Sequence, residues 1–346
     1  MTEAIKTKAR SLPCAGAALL FLLAAFPGAA SAQVIQSITS STPNFGSVVS
    51  APSGTTVFRA AASSGVISKM SGTGVRLSSG NSRAMVTIAC NQNSCRNTSI
   101  AVRVGSAGSP TGRAGALTNF TIAVGTASFA TGGSPSGTNP VSFTLRPIGS
   151  NPGTITFYIG ADLPVAGNES AAATGNASSA FYVYIAPAGT NPTLLTTSGP
   201  SSGAAIAHVF RPITVTSSSA LAFGRILRPT SGSGSVAVNE FTGVRTVSGT
   251  GAAALSSPSP TRAAYSVSGE GGQAFSISVP ATFQLTGPGT PLTVSLNSTA
   301  SGSQVLTGAL GSEGSLSFFV GGSFPMTSST ATGAYEGTYT VTVQYN

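Results

Sequence analysis

Apolar and polar residues alternate with a period of two through much of the chain. Ile213–Thr216, Tyr265–Ser268, Phe275–Val279, Leu292–Leu296 and Leu316–Phe318 each place apolar side chains on one face and Ser or Thr on the other. That period is the signature of half-buried β-strands. Clusters of Gly, Pro, Asn and Ser separate the segments at roughly 8–12-residue spacing, which fits an all-β sandwich architecture. The last residues show the strictest alternation: Tyr339, Val341, Val343 and Tyr345 share one face, and Thr338, Thr340, Thr342 and Gln344 the other. One segment breaks the pattern. Ala15–Phe26 is an apolar run, preceded by Lys6, Lys8 and Arg10 and followed by Ala30-Ser31-Ala32. A basic start, a short apolar run and a small-x-small site define an export signal over residues 1–32. The protein is therefore expected to be exported, ending at the cell surface or outside the cell.

The chain repeats itself in order. Asn44-Phe45-Gly46 is echoed by Ala222-Phe223-Gly224, Ser71–Gly74 by Ser248–Gly251, and Ser82-Arg83-Ala84 by Thr261-Arg262-Ala263. Phe157–Gly160 matches Phe318–Gly321, Pro164 matches Pro325, and Ala173-Thr174-Gly175 matches Ala331-Thr332-Gly333. A period this long predicts two tandem copies of one domain. The expected boundaries are 33–187 for the first sandwich, a Pro-, Gly- and Ser-rich linker over 188–207, and 208–346 for the second.

Composition narrows the function. Charged residues are 7% of the 346, against about 25% in ordinary soluble domains, while 41% are hydrophobic. Seven acids and one His leave little material for metal or acid–base chemistry; no cofactor or metal is expected. Asp162 and Glu169 are the only acids of the first copy, and the single His, His208, falls at the linker. A non-catalytic protein is the expectation. Without the signal, 13 basic side chains face six acids. The basic residues are scattered, so nucleic acid is not an expected partner. Cys90 and Cys95 survive signal removal, and an oxidising compartment with this short spacing predicts a disulfide stapling a turn. The second copy has Gly269–Gly272 at that place.

The second copy resembles a bacterial domain-of-unknown-function family, numbered 4402. The resemblance rests on Arg211–Val215, Leu221–Gly224, Arg228-Pro229 with Ser231–Gly234, Val267–Glu270 and the closing Gly337–Tyr345. The first copy is a divergent relative that keeps Phe45-Gly46, lacks the Arg-Pro element and gains the Cys pair. The ending is also similar to spore-coat-U-like chaperone–usher pilins, with a penultimate aromatic, Tyr345, and a Gly fourteenth from the end, Gly333. That resemblance implies an immunoglobulin-like sandwich lacking one edge strand. A periplasmic chaperone, an outer-membrane usher and other pilus subunits would be its partners, with Gly333, Tyr339, Val341, Val343 and Tyr345 at the assembly groove. A two-domain subunit of this kind resembles a tip subunit, whose first domain meets a surface receptor. Tyr182, Tyr184, Arg96 and Arg103 are the candidate receptor residues, because aromatic and Arg side chains dominate binding hot spots; ordinary β-propensity is the plain alternative for the tyrosines. The other functional class is a stand-alone exported sandwich that binds a glycan or matrix component.

Overall fold

The computed structural model describes residues 37–90, 93–131, 133–189 and 201–346. The expected signal segment lies outside them. Among the described residues no helix is long and apolar enough to cross a membrane.

Thirteen strands build the first half: β1 Ser37–Ser40, β2 Asn44–Val49, β3 Thr55–Ala60, β4 Ile67–Ser71, β5 Val75–Arg76, β6 Ala84–Cys90, β7 Ile100–Thr111, β8 Thr118–Val124, β9 Ser136–Gly137, β10 Val141–Leu145, β11 Gly153–Ala166, β12 Gly175–Pro187 and β13 Ser201–Phe210. One sheet runs β1-β6-β11-β3-β4, with β8 also on β11. The other runs β10-β7-β12-β13-β2-β5. Their alternate residues meet in one core that includes Phe45, Phe58, Phe120, Phe157 and Phe181. A face of Ser and Thr is left outward, as period-two strands require.

The second half carries β14 Thr214–Ser219, β15 Ile226–Leu227, β16 Ser233–Val238, β17 Arg245–Ser248, β18 Ala253–Ala254, β19 Ala263–Glu270, β20 Ala274–Ser278, β21 Thr282–Leu285, β22 Leu292–Ser298, β23 Gly302–Val305, β24 Glu313–Thr327 and β25 Thr342–Tyr345. Its large sheet, β14-β19-β24-β16-β17 with β22 on β24, repeats the order of these strands in the first sheet of the first half. The fold is all-β, as the alternation predicts. Asn93–Arg96, a single 3-10 turn, is the only helical element among the described residues.

The boundary between the halves differs from the expectation. Residues 201–207 are not linker: with His208–Phe210 they form β13, a full strand of the first sandwich. β13 pairs antiparallel with β12 from Gly175↔Val209 to Val183↔Ser201, and parallel with β2 through Val209↔Val48 and Phe210↔Val49. Its inward residues are small. Ala205, Ala207 and Val209 are buried, and a Cβ on Gly203 would meet Phe181 Cζ at 2.4 Å. A side chain there has no room, so glycine is required by close approach. His208, expected in the linker, lies on the exposed face of β13. The second half then begins at Arg211.

The two halves share an Arg device. Arg83 donates to the carbonyl oxygens of Ala62 and Ser63 in the β3–β4 turn and stacks over the Tyr158 ring, 3.4 Å from its centroid. Arg262 does the same to Glu240 and Phe241 in the β16–β17 turn, 3.5 Å over Phe319. A planar guanidinium can bond turn carbonyls with its edge while its face covers an aromatic ring.

Candidate functional site

The second sheet of the second half is where the repeat fails. In the first half the order is β10-β7-β12-β13-β2-β5, unbroken. In the second half the matching strands fall into two separate sheets, β23-β20-β25 and β15-β18. The register identifies the counterparts. Tyr184 pairs with Arg103 as Thr342 pairs with Ser278, and Val49 pairs with Val75 as Leu227 pairs with Ala253. Thus β25 stands for β12, and β15 for β2. The strand that joins β12 to β2 is β13, and the described residues contain no counterpart of it in the second half. Among those residues β25 pairs with β20 alone.

Exposure follows from that gap. Counting from Thr174-Gly175 and Thr332-Gly333, the inward residues Phe181, Val183 and Ile185 correspond without a break to Tyr339, Val341 and Val343. The first three are 1%, 0% and 5% exposed. The second three are only half-buried. Across the gap, Val48 is fully buried while its counterpart Ile226 is not. Ile213, Val215 and Leu221 are likewise only partly buried on the same core. Completing the burial of one such aliphatic side chain is worth on the order of 1 kcal/mol. Among the described residues, then, the second sandwich has an apolar groove beside a backbone edge with no pairing strand. Edges of this kind invite pairing by another strand.

The C-terminal strand is shorter than its alternation predicts. Residues 338–341 form no ladder, and pairing begins at Thr342. Two causes combine. Among the described residues no strand lies on the groove side, and β20 stops before Pro280, which has no backbone donor to offer. Continuing the register of Ser278↔Thr342 would set Pro280 opposite Thr340.

The structure places the expected assembly residues in three positions. Tyr339, Val341 and Val343 line the groove side of the core. The Tyr339 hydroxyl is buried without a hydrogen-bond partner. Burial, and next the nearby Tyr265 phenol, push its pKa above the usual phenol range. Tyr345 sits instead at the junction of the halves: its hydroxyl donates to the Arg211 carbonyl oxygen (2.9 Å) and accepts from the Glu270 amide (2.7 Å). Its ring lies 5.8 Å from that of Phe210. Burial raises its pKa too. Gly333 is at the opposite end of the segment, exposed, with φ at 147°.

The junction itself escaped sequence reasoning. Glu270 is fully buried. Its Oε2 accepts from the Arg211 amide (3.2 Å) and from Arg211 Nη1 (3.0 Å), and its Oε1 from the Gly311 amide. Arg211 Nη1 also donates to Thr174 Oγ1 (2.5 Å). Arg113 lies behind, 4% exposed, donating to Ser50, Asn168 and the Ala172 carbonyl. Burial lowers its pKa, and the charge of Arg211 lowers it further. A lone Glu270 between Gly residues gave no spacing signal; only the fold brings these groups together.

Of the receptor candidates, Tyr182, Tyr184 and Arg103 share the outward face of the first sandwich. The tyrosine rings are 4.8 Å apart, and Arg103 is the direct cross-strand neighbour of Tyr184. Gly105 leaves room for the Tyr182 hydroxyl, which lies where a Cβ would be. Arg96 is off this sheet, in the 3-10 turn. Cys90 is buried at the end of β6; the side chain of Cys95 lies outside the described residues. Both acids of the first half have structural partners: Asp162 binds Arg59 (2.5 Å) and Asn119 (2.8 Å), and Glu169 accepts from the Gly54 amide (2.6 Å). Among the described residues no His, Cys, Asp and Glu cluster could hold a metal.

Comparison with known proteins agrees with the family expected from the sequence. The family model described as "Domain of unknown function (DUF4402)" matches residues 213–345, the second sandwich. No curated protein matches the chain. Among solved structures, one similar chain comes from the "CsuC-CsuE chaperone-tip adhesion subunit pre-assembly complex from archaic chaperone-usher Csu pili of Acinetobacter baumannii". It is 11% identical, over 75% of this chain and 88% of that one, with a TM-score of 0.23. That score is too low to establish a shared fold.

Proposed function

We propose that the protein is a non-catalytic subunit of a chaperone–usher-type pilus, in which the first sandwich is exposed for adhesion and the second joins the fibre. One observation carries the reading: the first sandwich is completed by β13, while the equivalent place between β25 and β15 has no strand among the described residues. A strand supplied by another polypeptide would complete the second sheet by β-augmentation, with main-chain pairing for affinity and apolar alternation for fit. A periplasmic chaperone strand would hold the groove first, and a neighbouring subunit would replace it at the usher. Tyr339 and Val341 would lie beside that strand, as Phe181 and Val183 lie beside β13. The resemblance of the closing strand to pilins supports the same reading. Residues 1–32 would direct export, and a Cys90–Cys95 disulfide would staple the turn after β6. The outward Tyr182, Tyr184 and Arg103 are the proposed receptor face.

The test extends the chain after Asn346 with a copy of residues 188–210, so that β13 is offered to the second sandwich in cis. The extended protein is expected to be monomeric and more heat-resistant than the unextended chain, which should aggregate or bind a chaperone. If the unextended chain is a monomer whose second half already unfolds at the same temperature, assembly by strand donation is wrong. A stand-alone glycan- or matrix-binding protein would then be the better description.

A further inference from the structure

Among the described residues one joint links two sandwiches, and parts of it recur at the far end of the second sandwich. β13 completes the first sandwich and passes directly into Arg211, the first residue of the second. Arg211 then reaches back to Thr174 and holds buried Glu270, with Arg113 bonded to the Ala172 carbonyl behind. Gly175, at φ 88°, lets the second sandwich come close: a Cβ there would lie 3.2 Å from Gly311.

The far end of the second sandwich repeats this surface. Thr332-Gly333 corresponds to Thr174-Gly175, and both glycines have positive φ. Thr330 corresponds to Ala172, and its carbonyl oxygen likewise accepts from an arginine, Arg228 Nη1 (2.6 Å). Thr332 is exposed, whereas Thr174 is 4% exposed.

We infer that Thr332, Gly333 and Arg228 form a docking pole for the body of the incoming subunit, distinct from the groove that takes its strand. The fitting partner is a polypeptide whose β13-like strand leads straight into a sandwich bearing a basic residue at the Arg211 position and a buried acid at the Glu270 position. The arginine would bond Thr332, as Arg211 bonds Thr174, and the acid would lie on the side of Arg228. The inference rests on the strand-donation reading, but adds to it a contact that a strand alone does not make. In this register Gly333 lies opposite the donor residue matching Val209, and Val341 opposite that matching Ser201.

Two extended proteins separate the two ideas. One carries residues 188–210 after Asn346, a strand only. The other carries 188–346, a strand followed by a sandwich. Amide hydrogen exchange over 333–345 of the middle sandwich is the readout. Both extensions should slow exchange relative to the unextended chain. In the longer protein, Thr332→Val, or Arg211→Gln in the appended copy, should restore faster exchange by about tenfold, the size of one hydrogen bond to a charged group, and the two together should do no more than either alone. In the strand-only protein, Thr332→Val should change nothing. If both extensions protect 333–345 but Thr332→Val acts equally in both, or in neither, pole docking is wrong and strand donation stands. If neither extension protects the segment, both fall. Thr174→Val with Arg211→Gln at the native joint calibrates the coupling.

Discussion

The Tyr345 hydroxyl bridges two main chains, donating to the Arg211 carbonyl oxygen and accepting from the Glu270 amide. The penultimate residue is therefore tied to the first residue of its own sandwich. Tyr345→Phe removes one partner from two part-buried backbone groups, so it should cost about 1–3 kcal/mol, read as a lower thermal transition.

Tyr339→Phe should behave oppositely. Its hydroxyl is buried with no hydrogen-bond partner, so the substitution deletes an unsatisfied group and leaves the ring. Stability at neutral pH should be unchanged or slightly raised. A loss as large as that of Tyr345→Phe would show that the hydroxyl has a partner.

Both tyrosines predict an alkaline limit. Burial raises each folded pKa above the unfolded phenol value of about 10. Stability from the neutral phenols is thus full below pH 10 and falls as the pH rises above it. Urea midpoints between pH 8 and 11 should decline, and less steeply in the Tyr339→Phe protein. A decline starting below pH 9 would point to other groups.

Gly203→Val should open the first sandwich. The added side chain collides with Phe181, and overpacking of this kind costs about 1–3 kcal/mol or displaces the strand. Faster hydrogen exchange in β12 and β13, with β19 and β24 unchanged, is the expected pattern.

Arg262→Lys should loosen the β16–β17 turn. Lysine keeps the charge but loses the planar edge and face that serve Glu240, Phe241 and Phe319 at once. A loss of about 1–2 kcal/mol is expected from the broken contacts, and Arg83→Lys should match it in the first half.

The strands, the duplication and the family were legible because period-two alternation and tandem motifs are local properties of the chain. β13 was not. Its inward residues Gly203, Ala205 and Ala207 are small, Gly203 because it faces Phe181 at close range, and a strand of small residues reads as a linker. For the opposite reason β25 is shorter than its alternation: Tyr339–Tyr345 alternates along its whole length, but a ladder needs a neighbour, and the described residues supply one only from Thr342 onward. Glu270 was recognisable as a family position but not as the centre of a joint, since Thr174, Arg211 and Gly311 come from segments far apart in sequence.

The position of β13 in the same polypeptide sets how the two halves respond to dilution. Closure of the first sandwich is unimolecular, with the strand held near its slot at an effective concentration fixed by the intervening chain. Its occupancy is the same in one molecule as in a crowd. Were the slot beside β25 filled by a strand from another molecule, as proposed, that step would be second order and would obey mass action. On that reading one half would remain closed at any concentration, while the closure of the other would report how many partners are near.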